Sequence, residues 1–293
     1  MKKQSLEEGV INTHPCFSER GHERYGRLHL PVAPVCNISC NYCNRNYDCV
    51  NESRPGVSSR IITPLEALKR VLVATERDRI SVIGVAGPGD PLANESTFNF
   101  FKLVRKEFPN IFLCLSTNGL LLPKKVEVLQ DLGIFTVTVT INAINPSTAE
   151  KIYAWILYDG KLMKGREASE YLLENQWNGL EMLTDRGFCV KVNSVLIPGV
   201  NEREIENIAE RARRLKAKVM NIIPLIPNGK MINLQKPSCQ VLEDIRKVCE
   251  KHIRQIRHCR QCRADAFGSL EEDKDIELEL INNALAFDYC ESV

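Results

Sequence analysis

Short apolar runs along this chain alternate with longer segments whose apolar residues recur every three or four positions, the two periods expected of buried strands and amphipathic helices. After a polar, irregular stretch over residues 1–26, a strand is expected at about Leu28–Ala33. A loop from Val35 to about Arg60 follows. Thr63-Pro64-Leu65-Glu66 reads as a helix start, with Thr as N-cap, Pro at the first helical position and Glu after it to close a capping box. That helix should reach about Thr75. A buried strand over Ile80–Ala86 ends in Gly87-Pro88-Gly89-Asp90-Pro91. The alternation continues with a helix at about Thr97–Glu107, a strand at Ile111–Thr117, a helix at Lys124–Leu132, a strand at Phe135–Ile141 and a helix near Pro146–Tyr153. Residues 155–168 read as an inserted loop before a long helix over about Glu170–Arg186. Strand Cys189–Ile197, helix Glu202–Leu215 and strand Val219–Pro224 complete the repeat.

Strands alternating with helices predict a parallel sheet with right-handed crossovers. Six such units, without a seventh and eighth, predict an α/β fold: an open, partial (β/α)6 barrel over residues 27–227. Residues 1–26 become an N-terminal arm and residues 228–293 a C-terminal extension. The extension carries a helix over Ser238–Arg254, a short loop around Cys259 and a polar amphipathic helix from about Glu271 to Phe287. Sites on such a sheet lie at the C-terminal strand ends. The loop after the first strand, the Gly-Pro-Gly-Asp turn and Asn118 all fall there.

Composition changes this picture in two ways. The formal net charge of +2 excludes a dedicated nucleic-acid binder, which carries a clear basic excess. No run of about 18 apolar residues exists, so no membrane span is expected. The first eight residues lack the apolar core of a signal peptide, which makes a cytoplasmic location the expectation. Against that setting, 12 cysteines point to metal or redox chemistry and away from disulfides.

Three of them, Cys36, Cys40 and Cys43, form a C-x-x-x-C-x-x-C run. Three thiolates can hold three corners of a [4Fe–4S] cube and leave the fourth iron open. A structural zinc knuckle would need a fourth ligand that this loop lacks at that spacing. The spacing resembles the radical SAM superfamily, in which the open iron chelates S-adenosylmethionine (SAM) and one electron releases a 5′-deoxyadenosyl radical. In that resemblance Tyr42 stands against the adenine, and the turn with Gly87, Gly89 and Asp90 holds the methionine amino group. Thr140, Asn142, Asn193 and Val195, at or near later strand ends, would contact the ribose and carboxylate. Read without the resemblance, those four are ordinary strand-end residues.

The remaining candidates are less tightly specified. Cys259 and Cys262 form a C-x-x-C pair outside any βα context, which favours metal over thioredoxin-like redox chemistry. A third ligand must come from elsewhere, and Cys16 is a candidate; a structural zinc site is the alternative. Cys49 follows the first motif at the same mouth. Cys114 shares a strand face with Ser116 and Asn118, and its plain reading is a buried free thiol. His29 lies on the first strand, where it needs a hydrogen bond or a metal. Glu52 is either a proton relay or a loop carboxylate. Cys189, Cys239, Cys249 and Cys290 read as structural, and His14, His22, His252 and His258 stay unassigned.

The runs His14-Pro15-Cys16-Phe17, Arg27-Leu28-His29-Leu30-Pro31-Val32-Ala33-Pro34, Cys49-Val50-Asn51-Glu52-Ser53-Arg54-Pro55-Gly56-Val57, Cys114-Leu115-Ser116-Thr117-Asn118-Gly119 and Cys259-Arg260-Gln261-Cys262-Arg263-Ala264-Asp265-Ala266 together closely resemble the NifB family. NifB proteins are radical SAM proteins that build the iron–sulfur–carbide precursor of the nitrogenase cofactor. The resemblance implies three [4Fe–4S] clusters: the SAM cluster, one donor cluster held by His29, Cys49 and Cys114, and one held by Cys16, Cys259 and Cys262. It further implies that a SAM methyl group reaches a donor-cluster sulfide, that the radical abstracts hydrogen from it, and that the carbon becomes a carbide as two cubes fuse. Glu52 would be a base in that sequence. Implied partners are SAM, iron–sulfur cluster donors, an electron donor and a downstream cofactor carrier or scaffold. Many bacterial members carry a further NifX-like domain; this chain ends at Val293, so the expectation is the short, stand-alone form. Molybdopterin-type cyclases and peptide-maturation enzymes share the barrel and first motif but lack the His-Pro-Cys arm combined with the Cys-Arg-x-Cys-Arg tail. An iron–sulfur scaffold or carrier would need neither the SAM turn nor the barrel.

Overall fold

The computed structural model describes residues 8–10, 12–53, 56–259 and 261–269. The expected terminal helix over Glu271–Phe287 lies outside the described residues, as do Cys290 and Arg260. In chain order the elements are α1 (Glu19–Arg24), β1 (Gly26–His29), β2 (Ile38–Cys40), α2 (Pro64–Arg77), β3 (Ile80–Val85), α3 (Glu95–Glu107), β4 (Phe112–Thr117), α4 (Leu122–Asp131), β5 (Thr136–Thr140), α5 (Pro146–Ile152), β6 (Tyr153–Tyr158), β7 (Lys161–Met163), α6 (Gly165–Asp185), β8 (Cys189–Leu196), α7 (Ile205–Arg214), β9 (Val219–Pro224), α8 (Cys239–Glu250) and β10 (Phe267–Gly268). The expected capping box is present: Thr63 accepts from the Glu66 N–H, and Glu66 reaches back to the Thr63 N–H.

The main sheet runs β10-β1-β3-β4-β5-β8-β9. β1, β3, β4, β5, β8 and β9 are parallel neighbours, and β10 adds antiparallel to β1. The sheet curls into an open half barrel of the expected class. Alternation along each strand sorts the side chains. Ile83, Val85, Leu113, Leu115, Val137, Val139, Val190, Val192, Met220 and Ile222 face the helices in one apolar core. Each such side chain stabilises the fold by about 1.5–3 kcal/mol relative to exposure. The inward face is polar and layered by register. His29, Gly84, Cys114 and Thr136 lie in one row; Ser116, Thr138 and Lys191 in the next; Thr140, Asn193 and Asn221 in the row beyond.

Both chain ends close this interior. Val10 and Phe17 of the arm pack on Cys189 and Val219, at the N-terminal ends of β8 and β9, and on Ile256. The arm is less irregular than expected, because Ser18 caps the short helix α1 by accepting from the Gly21 N–H. The extension returns to the sheet through β10 and through a bridge between Gln255 and Met220.

One expectation is corrected. Residues 155–168 are no inserted loop: β6 and β7 form a hairpin turned at Asp159 and Gly160, both at positive φ, which an Asp-Gly pair favours. β6 also pairs with β2, placing Ile38 opposite Ile156 and Cys40 opposite Tyr153. The hairpin therefore buttresses the cysteine loop, a long-range pairing that periodicity along one segment does not register.

The turn after β3 meets the same loop from the other side. A Cβ on Gly89 would lie 2.2 Å from the Val35 carbonyl oxygen, a backbone contact that no side-chain rotation relieves. Gly89→Ala is expected to lower unfolding stability by about 1–3 kcal/mol, read from the denaturant midpoint of the metal-free protein. An unchanged midpoint would mean that turn and cysteine loop are not in close contact.

Candidate functional site

Two cavities are stacked inside the half barrel. The upper one lies at the C-terminal strand ends and is lined by Cys36, Cys40, Tyr42, Cys43, Cys49, Asp90, Asn118 and Thr140, among others. The lower one is lined by His14, Cys16, Phe17, His29, Cys114, Thr136, Thr138 and Lys191, among others. Ala86, Glu52 and Ser116 line both.

The upper cavity brings the three motif cysteines together. Burial pushes the Cys36 thiol up to about 11 and raises Cys40 and Cys43 as well; Arg45 opposes the rise at all three. Arg45 also donates to the Pro34 and Pro88 carbonyls, at 2.7 and 2.8 Å, and so ties the loop to the turn after β3. Among the described residues, no three His, Cys, Asp or Glu side chains close on one point as ligands of a single ion would. A cubane carries its irons on separate corners, so its thiolates stand further apart than that. Cys49 is a fourth sulfur at this cavity, outside the C-x-x-x-C-x-x-C run; the three cysteines within that run have the spacing of a three-cysteine [4Fe–4S] site.

Tyr42 is buried, and its hydroxyl donates to Asn51 Oδ1 at 2.9 Å and accepts from Asn142 Nδ2 at 2.7 Å. The ring is thereby locked in the cavity wall. Asn142 in turn accepts from the Val195 N–H at 2.8 Å, so Asn142 and Val195 support Tyr42 from behind. Asn118 donates to Asn37 Oδ1 at 2.7 Å and reaches the Cys36 sulfur at 3.9 Å. Asp90 is buried and already occupied. Its carboxylate accepts from the Leu92 N–H, the Asn118 N–H and the Thr117 hydroxyl. Burial raises its pKa to about 6 against those hydrogen bonds. An ammonium at Asp90 would have to share oxygens that already tie the turn to β4. Gly87 packs beside Cys49: a Cβ there would lie 3.8 Å from the Cys49 Cβ.

The lower cavity groups His29 and Cys114 on either side of Gly84. A Cβ on Gly84 would lie 2.7 Å from the Cys114 sulfur and 3.1 Å from the His29 ring; only glycine leaves this room. Cys16 enters the same cavity from the arm and is within electrostatic reach of Cys114, Cys259 and Cys262. Burial pushes Cys16 up to about 12 and lowers His29 and His14 to about 3. Cys262 is buried, takes a hydrogen bond from Arg27 Nε at 3.4 Å, and bridges to Ser53 next to Glu52. Cys259 is exposed. Cys49 stands with the upper cysteines, whose charges raise its pKa further after burial has done so. The structure thus places His29 with Cys114, Cys16 beside both that pair and the C-terminal cysteines, and Cys49 at the upper cavity.

Glu52 forms the common wall. Its Oε1 accepts from the Ser116 hydroxyl and from Asn193 Nδ2, both at 2.5 Å. Burial raises its pKa, with Lys191, Ser116 and Asn193 acting against the rise. Lys191 was not anticipated. It is a buried lysine in the all-buried strand β8, and Cys16, Glu52, Cys259 and Cys262 hold its pKa above the ordinary value although burial alone would lower it. A charge in the middle of an otherwise apolar strand was the available signal. His14 was likewise unassigned, though it lies in the His-Pro-Cys run.

Residues 30–212 match the Radical SAM superfamily. The chain is 48% identical over 269 residues to the FeMo cofactor biosynthesis protein NifB of Klebsiella pneumoniae, covering 89% of this chain and 58% of that protein. It is 46% identical over 279 residues to the FeMo cofactor biosynthesis protein NifB of Methanocaldococcus infernus, covering 93% and 90%. The chain therefore spans little more than half the length of bacterial relatives of this kind and nearly all of the archaeal one. A radical SAM methyltransferase from Sphaerobacter thermophilus shares the fold at 19% identity, with a TM-score of 0.57 over 80% of this chain and 66% of that one. No described helix is long and apolar enough to cross a membrane. The barrel, the three-cysteine cavity at its strand ends and the extent of these matches agree: the chain belongs to the radical SAM superfamily and, within it, to the NifB family.

Proposed function

We propose that this chain is the enzyme that fuses two [4Fe–4S] substrate clusters, with a SAM-derived carbide and added sulfur, into the eight-iron precursor of the nitrogenase cofactor. The observation that carries the reading is the pair of stacked cavities: one lined by the three motif cysteines, one by Cys16, His29 and Cys114, with Glu52 in the wall of both. Thiols and imidazole facing the barrel interior are soft and borderline donors suited to an iron-bearing guest, beyond what SAM cleavage requires.

In this reading Cys36, Cys40 and Cys43 hold the resident cluster, which when bound supplies the electron that cleaves SAM. Tyr42, fixed by Asn51 and Asn142, offers its ring face to the adenine. Gly87 and Gly89 let backbone approach the methionine end, and Asn118, Thr140 and Asn193 line its path. His29, Cys49 and Cys114 receive one substrate cluster; Cys16, Cys259 and Cys262 receive the other. Neither set closes a four-ligand cage, which suits cargo that must leave. Glu52 acts as the base toward the SAM-derived carbon. Ser116 and Asn193 hold Oε1, and Oε2 carries no hydrogen bond among the described residues. A carboxylate raised by burial is better matched to proton uptake near neutral pH than an exposed one. An electron donor and a carrier for the product complete the set of partners.

Anaerobic iron quantification with EPR, before and after SAM addition, tests the assignment. The wild type is expected to hold about 12 irons, and Cys259→Ala/Cys262→Ala about four fewer, with SAM converting only the wild type to a new signal. About four irons in both proteins with normal SAM cleavage would indicate a different radical SAM enzyme, and bound clusters without SAM cleavage would indicate a scaffold or carrier.

Glu52→Gln preserves the shape and the acceptor at Oε1. It is expected to leave iron content unchanged and to slow carbon insertion by about 100-fold or more, followed with isotopically labelled SAM methyl. Insertion at the wild-type rate would remove Glu52 from the chemistry.

A further inference from the structure

Two nitrogen donors at the lower cavity make no hydrogen bond among the described residues. Lys191 is 4% exposed. It lies on β8 between Thr138 of β5 and Val219 of β9, and it forms no hydrogen bond or ion pair among the described residues. Glu52 from the cysteine loop, Cys16 from the arm and Cys259 and Cys262 from the C-terminal loop are within electrostatic reach and favour its charge. His14 is 1% exposed. Its Nδ1 accepts from the Cys16 N–H at 3.1 Å, which leaves the ring proton on Nε2. That Nε2 is buried and has no partner.

Burying an ammonium that makes no hydrogen bond is expensive, and so is an orphaned buried N–H. A fold that keeps both at one cavity, delivered by elements far apart in sequence, is built for an acceptor that arrives later. Cysteine sulfurs bound to iron keep lone pairs and can accept such bonds as part of a cluster. An iron–sulfur cluster with thiolate ligands is an anion, and its bridging sulfides accept N–H hydrogen bonds. Such bonds and nearby charge also set cluster reduction potential. A water molecule could satisfy His14 but would not neutralise Lys191.

We propose that Lys191 and His14 are positioning residues for the substrate cluster received by Cys16, Cys259 and Cys262, donating from Nζ and Nε2 to its sulfurs. This rests on the cluster-fusion reading above. Neither residue is a ligand: an ammonium has no lone pair, and the His14 nitrogen with a lone pair is used by Cys16.

The test uses the full chain with Lys191→Met, Lys191→Arg and His14→Phe, compared metal-free and after anaerobic reconstitution. Heat stability of each metal-free variant is measured first, so that a loss of fold is told apart from a loss of cluster retention. After reconstitution Lys191→Met should release about four irons to a competing chelator about tenfold faster or more, with an altered EPR signal for that cluster and an unaltered SAM-cluster signal. His14→Phe should act in the same direction, and Lys191→Arg should restore retention. Wild-type retention in a variant overturns the proposal for that residue. A wild type that holds only about four irons overturns the cluster-fusion reading itself, and this proposal with it.

Discussion

The structure depends on one asymmetry: the strands of the half barrel are apolar toward the helices and polar toward the interior. Parallel strands in α/β folds are usually apolar on both faces, because both are covered by protein. Here the outer face forms a large apolar core, while much of the inner face carries hydroxyls, amides, thiols and a lysine; a second apolar cluster, with Ile38, Tyr42, Val195 and Ile223, lies toward the cysteine loop. Such an interior cannot fill itself by side-chain packing. It has to be closed by other parts of the chain, and the rest of the architecture is that closure.

Three segments provide it. The arm seals the N-terminal end, with Phe17 against Cys189 and Val219. The C-terminal loop is held to β1 by Arg27, which donates to Cys262 and to the carbonyls of Gly268 and Ser269. The cysteine loop covers the top. It is held by β6 on one side, by Gly89 on the other, and by Asp48, which accepts from Ser59 and Ala264. Each closing segment also brings chemistry: Cys16 with the arm, Cys259 and Cys262 with the C-terminal loop, and Cys36, Cys40, Cys43, Cys49 and Glu52 with the top. Closure and delivery of candidate ligands are one event.

The interior is therefore buried and incompletely paired. Burial raises the thiols and Glu52, and lowers His14 and His29. Polar groups in such surroundings are costly until satisfied, and interactions made there are strong because little water screens them. This makes the interior a poor place for stability and a suitable one for a charged, sulfur-rich guest.

The order and type of the main elements were written in local pattern. The Thr63–Glu66 capping box, the alternation of Thr136, Thr138 and Thr140 with valines, and the Gly-rich turn after β3 all act over a few residues, so sequence alone placed them. The spacing of Cys36, Cys40 and Cys43 identified a three-thiol site for the same reason. The hairpin over Tyr153–Met163 did not emerge, because its role is set by pairing with a loop more than a hundred residues earlier. Nor could spacing decide that Cys16, His29 and Cys114 share one cavity, that Asp90 spends its carboxylate on the adjacent strand, or that Lys191 and Glu52 face each other across the barrel. Local periods specify which face a residue takes. Which residues meet on that face depends on strand order, sheet curl and chain closure, and these exist only in the folded chain.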